Sequence, residues 1–306
     1  MLHHAMILFL ACLVLGGCLG PPRDVTEPPG VGIVRDQEFA HVDGRTLRLD
    51  IYRAEGATRA QPCVLWIYGG GWLFGTRSPC PIARLALRGY TVVAVEYRLS
   101  DEAMFPAALH DVKAGVRWVR ANAAQWGIDP ARIGVFGVSA GGHLASLLAA
   151  TSGQPWYDGG LGPVAGSTDI ACAVAFFPPT DLPRLMDPAE DVSWKMKLAV
   201  RRMVGGDPVT DTAAAELARL ASPIHLITAR HAPLLLVHGT DDELIPVQHS
   251  IDYSESLLRQ GVDAHLRAVV GFNHGNMLLA DAEVRRDMHA FLDRVLKPDI
   301  PPGAPE

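Results

Sequence analysis

Several function classes are excluded by what this chain of 306 residues does not have. It carries no Lys/Arg-rich run and its net charge is −6, which disfavours a nucleic-acid surface or an anionic-membrane surface. Its five cysteines show no zinc-type Cys/His spacing. No internal repeat is visible, so a solenoid or propeller is not indicated. A bilayer span needs about 20 consecutive apolar residues, and the amino-terminal apolar run, Ala5 to Gly17, is shorter. What remains, 49% hydrophobic and 20% charged residues, fits an ordinary globular protein with a sizeable core.

Ala5 to Gly17 ends in small residues before Cys18, and only His3, His4 and the α-amino group precede it. It reads as a targeting segment with a weak basic region. Leu15-Gly16-Gly17-Cys18 resembles the lipobox of bacterial lipoproteins, a family in which the cysteine is acylated and becomes the first mature residue. The expectation is a signal peptide over 1–17, lipidation at Cys18, and a Pro-rich linker over 18–30. The resemblance implies a bacterial cell envelope location, lipid-anchored or else secreted or periplasmic. Cys63, Cys80 and Cys172 cannot all pair, no essential disulfide is expected, and none of them reads as a nucleophile.

Residues 31–298 read as one catalytic domain, followed by a flexible tail over 299–306. Gly32 to Arg53 suits two strands joined at Val42-Asp43-Gly44. Short apolar strands follow at Val64–Tyr68, Thr91–Tyr97, Arg132–Val138, Ile170–Phe177, Pro233–His238 and Ala264–Val270. Helical patterns alternate with them at Ala83–Arg88, Phe105–Asn122, Ala140–Ala150, Val247–Gln260 and Asp281–Leu296. This alternation argues for an α/β fold with a mostly parallel central sheet covered by helices on both faces. Pro178 to Pro223 reads as irregular to helical, is too long for a simple connection, and is expected to form a small lid insertion over the carboxyl ends of the strands.

Three stretches carry the chemistry. Gly137-Val138-Ser139-Ala140-Gly141 fits the G-x-S-x-G nucleophile elbow, a sharp strand-to-helix turn that lifts a serine hydroxyl out of a sheet. Such a match alone is weak, since roughly a tenth of one is expected by chance at this composition. Tyr68-Gly69-Gly70-Gly71-Trp72, just past a strand, is placed to bring backbone N–H groups to an oxyanion. With the amide of Ala140 at the start of a helix, Gly70 and Gly71 are the candidate oxyanion donors.

A serine needs a base, and among twelve histidines His274 stands just past the last predicted strand. His143 is read as packing or hydrogen bonding one turn past the elbow, His238 as stabilising the loop that follows it, and His110, His249, His265 and His289 as surface or helix residues. The acid should follow the preceding strand, where Asp242 is preferred and Asp241 is the fallback. Asp181 is a weaker option, otherwise a turn or helix cap. Trp72 and Phe74 are expected to line the acyl side of a substrate pocket, with core packing weighed equally for Trp72.

Glu96-Tyr97-Arg98-Leu99, Phe105-Pro106-Ala107-Ala108, Trp118 and Gly127-Ile128-Asp129-Pro130-Ala131-Arg132-Ile133 lead in order into the elbow. Together they resemble the esterase/lipase branch of the α/β-hydrolases, most of all the bifunctional deacetylase/feruloyl-esterase-like group. The similarity runs from about Val31 to Leu296. It implies the α/β-hydrolase fold and hydrolysis of small acyl or aryl esters through an acyl-enzyme, without cofactor or metal. It also implies a small-molecule ester as partner, no nucleic acid, and membrane contact only through the lipid on Cys18. Two departures stand out. Tyr68 replaces the family's usual His before the glycines, and the large amino-terminal cap of the hormone-sensitive-lipase-like branch is missing. The alternatives are an amidase resembling arylformamidases and a non-catalytic envelope binding protein.

Overall fold

The structure, a computed structural model, describes residues 28–163, 166–275 and 277–297. The expected signal peptide, Cys18 and the tail over 299–306 lie outside the described residues. Among the described residues no helix is long and apolar enough to cross a membrane.

Eight strands form one sheet in the order β1-β2-β4-β3-β5-β6-β7-β8. The hairpin of β1 (Val31–Val42) and β2 (Arg45–Ala54) turns at Asp43 and Gly44, both with positive φ, as the sequence predicts. β1 and β2 are antiparallel, and so are β2 and β4 (Thr91–Val95). From there the sheet is parallel through β3 (Gln61–Ile67), β5 (Ile128–Val138), β6 (Cys172–Phe176), β7 (Leu234–Gly239) and β8 (Ala264–Val269). β3, β4, β6 and β7, and β5 from Ile133 onward, are almost wholly buried and rich in Val, Leu, Ile and Ala, as expected of parallel strands covered on both faces.

The helices are α1 (Ala107–Ala121), α2 (Ala140–Ala150), the short α3 (Pro155–Asp158), α4 (Leu182–Met186), α5 (Trp194–Val204), α6 (Thr212–Leu220), α7 (Gln248–Arg259), the short α8 (Met277–Ala280) and α9 (Ala282–Leu296). Side chains of a strand alternate between faces. On β5 a Cβ added at Gly137 would meet the backbone of α2, whereas one added at Gly134 would meet Leu296 of α9. The two helices therefore cover opposite faces of the central strand.

Ala83–Arg88 and the start of β5 differ from the sequence expectation. Ala83–Arg88 is a 3-10 turn, closed by Gly89 in the left-handed region. β5 starts at Ile128, because Gln61 pairs with Ile128 ahead of the irregularity at Asp129 and Pro130, residues of low strand propensity. The excursion from Pro178 to Pro223 contains the three helices α4, α5 and α6, packed on one another. Cys63, Cys80 and Cys172 are free and buried, as expected; burial pushes the Cys172 thiol up to about 12, so none is poised to act as a thiolate.

Candidate active site

Ser139 follows β5 and precedes α2, and its backbone is forced to φ +53° and ψ −119°. A non-glycine residue there carries of order 1–3 kcal/mol of strain. The surroundings hold it in place. Its N–H donates to Phe176 O at 2.9 Å, and its carbonyl accepts from His143 N–H at 2.9 Å. The glycines permit the turn, since a Cβ at Gly137 would lie 2.1 Å from Gly141 O, and one at Gly141 would lie 2.1 Å from Ile67 O. The hydroxyl is thus presented by an over-determined turn.

His274 lies beyond β8, its side chain 7% exposed. Its Nε2 is 2.9 Å from Ser139 Oγ and its Nδ1 is 2.7 Å from Asp242 Oδ2. A carboxylate only accepts, so Nδ1–H donates to Asp242 and Nε2 accepts from the serine hydroxyl. Phe177, with φ +39°, sets its ring edge-on to the imidazole at 4.4 Å between centroids. No motif in the sequence points to that contact.

Asp242 sits three residues past β7, its carboxylate fully buried. The amides of Leu244 and Ile245 donate to Oδ1 at 2.9 and 2.8 Å. Oδ2 accepts from His274 and also lies 3.2 Å from His238 Nε2. Burial alone would raise the pKa of Asp242. The bonds from His238 and His274 outweigh it and hold the carboxyl below the usual carboxylate range.

The loops that carry Asp242 and His274 are tied together. Asp241 N–H donates to Phe272 O at 2.9 Å, and Gly271 N–H donates to Thr240 Oγ1 at 3.0 Å. Gly239 admits this approach, since a Cβ there would lie 2.1 Å from Phe272 O. Asp241, the fallback acid, is exposed and accepts from Thr240 Oγ1. Asp181 caps α4 by accepting from Arg184 N–H, the structural role weighed for it.

The Gly-rich loop runs from the end of β3 toward the elbow. A Cβ at Gly69 would lie 3.3 Å from Ser139 Cβ, which places the loop against the serine. Gly70 and Gly71 adopt φ +117° and +58°. Leu73 and Phe74 both donate their N–H to Gly70 O, at 3.0 and 3.2 Å, closing a tight turn. Among the described residues no acceptor takes the N–H of Gly70, Gly71 or Ala140, so the three candidate oxyanion donors are uncommitted. Ala199 of α5 lies 3.5 Å from where a Gly71 Cβ would be, so this helix closes over the loop.

Trp72 departs from its substrate-facing reading. It is 1% exposed, its indole N–H donates to His143 Nδ1 at 3.2 Å, and the two rings meet edge to face. His143 in turn donates from Nε2 to Ala221 O at 2.6 Å. The tryptophan therefore anchors the loop from inside the core. Phe74 is half-buried and stays at the loop's surface.

A family model, BD-FAE, matches residues 49–257. The chain belongs to this family of α/β-hydrolase esterases. It is 30% identical to the esterase LipC of Mycobacterium tuberculosis over 295 residues, which is 90% of this chain and 70% of LipC. It spans about half the length of the next curated relatives it matches. Among solved structures it resembles a truncated carbohydrate esterase from gut microbiota, with a TM-score of 0.77 at 26% identity over 89% of this chain and 98% of that one. It also resembles the butyrate-bound esterase Est2 of Thermogutta terrifontis, with a TM-score of 0.68 at 25% identity over 90% of this chain and 99% of that one. The chain is a serine hydrolase of carboxylic esters.

Proposed function

We propose that Ser139 is the nucleophile, His274 the general base and acid, and Asp242 the residue that orients His274. The observation that carries this reading is the hydrogen-bonded line from Asp242 through His274 to a strained, buried serine. In the first step Ser139 Oγ attacks the ester carbonyl while its proton passes to His274 Nε2. The amides of Gly70, Gly71 and Ala140 then hold the oxyanion, and each such donor typically contributes about 3–4 kcal/mol to the transition state. His274 returns the proton to the leaving alcohol. Water, activated by the same base, then releases the acid from the acyl-enzyme. These steps use protein groups and water alone.

The protein acts on small esters, and we assign it acetyl or feruloyl esters as the substrate class. Support comes from α5, closed over the oxyanion loop at Ala199, and from the half-buried Phe74 at its surface. The gut carbohydrate esterase and the butyrate-bound Est2 are consistent with that class. Each buried methylene is worth only about 0.8 kcal/mol, a gain that a closed pocket reverses after a few carbons. On p-nitrophenyl esters kcat/KM should peak between acetyl and butyryl and fall steeply by octanoyl. An optimum at octanoyl or longer would make the segment from Pro178 to Pro223 the wall of a lipid groove instead. Acetyl, feruloyl and N-formyl substrates assayed in parallel separate the esterase from an arylformamidase-like amidase.

The location is part of the same proposal. The run Leu15-Gly16-Gly17-Cys18 and the Pro-rich stretch after it support a mature enzyme held at the bacterial envelope by a lipid on Cys18.

A further inference from the structure

One buried histidine outside the Ser139–His274 pair touches the same carboxylate oxygen. His238, next to last in β7, is fully buried. Its Nε2 lies 3.2 Å from Asp242 Oδ2 and 2.9 Å from Ile245 O. Both neighbours can only accept, so Nε2 carries a proton. Its Nδ1 lies 2.7 Å from Ser250 Oγ. In the neutral ring that nitrogen accepts, so the Ser250 hydroxyl donates to it and selects the tautomer. Ser250 is itself fully buried, on α7.

We infer that His238, oriented by Ser250, is a positioning residue that aims Asp242 at His274 and moderates the basicity of His274. The inference rests on the reading of Asp242 as the orienting acid. The amides of Leu244 and Ile245 fix Oδ1, yet a carboxylate held at one oxygen can still pivot about it. The donor from His238 fixes the second oxygen. It also shares the charge of Oδ2, so the His274 imidazolium is stabilised less than it would be by an oxygen with one donor. The surroundings of His238 contain few other charges. Phe177 presents its ring at 6.4 Å between centroids, and His249 of α7 is within electrostatic reach; Arg184 and Asp252, which pair with each other, act in turn on His249.

The test is a set of variants of the full chain assayed across pH. In His238→Leu, kcat should fall about tenfold with KM nearly unchanged, well short of the roughly 10²–10⁴-fold carried by a general base. The acidic limb of kcat/KM should move up by about half a pH unit, because His274 then faces a less shared carboxylate. His238→Gln, whose amide can donate to Oδ2, should restore most of kcat and return the limb. Ser250→Ala should shift the limb the same way by less. Equal losses in the Leu and Gln variants, or a Leu variant with unchanged kcat and limb, would overturn the inference. If the Leu variant does not fold, an unmoved limb in Ser250→Ala overturns it. Asp242→Asn, run alongside, separates the two ideas. A mild effect there removes the acid assignment itself, whereas a large one beside a silent His238→Leu removes only the role of His238.

Discussion

Tyr68 and Tyr97 hold each other across the carboxyl ends of β3 and β4. Their rings stack at 4.3 Å between centroids. The Tyr68 phenol donates to Tyr97 O at 3.2 Å, and the Tyr97 phenol donates to Tyr68 O at 3.0 Å. This reciprocal pair roots the Gly-rich loop. Burial pushes both phenols above their ordinary pKa, so they remain neutral donors.

Tyr68→Phe keeps the stack and removes one donor from a buried carbonyl. The expected cost is about 1–3 kcal/mol of stability. The rate should fall by about tenfold or less, since the tyrosine supports the loop and does not touch the reacting atoms. Tyr97→Phe should behave alike, and the double variant should lose less than the sum of the singles, because the two form one unit. Thermal denaturation and steady-state rates check this. A much larger loss of kcat in Tyr68→Phe alone would give the phenol a direct part in holding the oxyanion.

Gly70→Ala tests the loop itself. Its Cβ would fall 2.0 Å from Phe74 O at a φ of +117°, so the backbone must move. kcat should drop roughly 10²–10³-fold as the donors leave their places. Wild-type kcat in this variant would mean that the oxyanion is held elsewhere.

Acid should destabilise the fold in two stages. Burial holds His143 and His231 down to about 4 and His249 down to about 3, all below the ordinary 6.5. The unfolded chain therefore binds protons at these sites first, and stability declines as pH falls from 6.5 toward 4. The carboxyl of Asp242, held low, adds stability that is present above its ordinary value of 3.8 and is lost as pH falls further. Melting temperatures of Ser139→Ala should be level above neutrality and decline through the first window. A level profile from pH 6.5 to 4 would mean that these histidines are not held neutral in the fold.

Lipidation is checked by metabolic labelling with a fatty-acid probe. The wild type should be marked, and Cys18→Ser should accumulate as an unprocessed, unlabelled precursor. A mature protein that begins at another residue would remove the envelope-anchor reading.

Much of this site was legible in the sequence because its motifs are local. The elbow needs glycines at fixed offsets around Ser139, and the acid and base each follow a strand that β-branched and Leu-rich runs disclose. What escaped depends on contacts distant in sequence. His238 was read as steadying its own loop, which its bond to Ile245 O bears out. Its approach to Asp242 Oδ2 and its orientation by Ser250 need the chain to fold back from α7. Trp72 could face either way until His143, 71 residues on, was seen to accept its indole N–H. His249, expected among the surface or helix residues, is helical but 2% exposed, and the Thr180 hydroxyl donates to His249 O. The segment from Pro178 to Pro223 reads in the sequence only as irregular to helical; Pro183 marks the start of α4, but no such signal marks α5 and α6.

The most direct measurement is labelling with a fluorophosphonate, followed by mass spectrometry of the modified peptide. One adduct at Ser139 is expected. It should be absent in Ser139→Ala, which should fold and lack ester hydrolysis, and it should form far more slowly in His274→Ala. An adduct on another residue, or ester hydrolysis retained by Ser139→Ala, would contradict the assignment of Ser139 as the nucleophile.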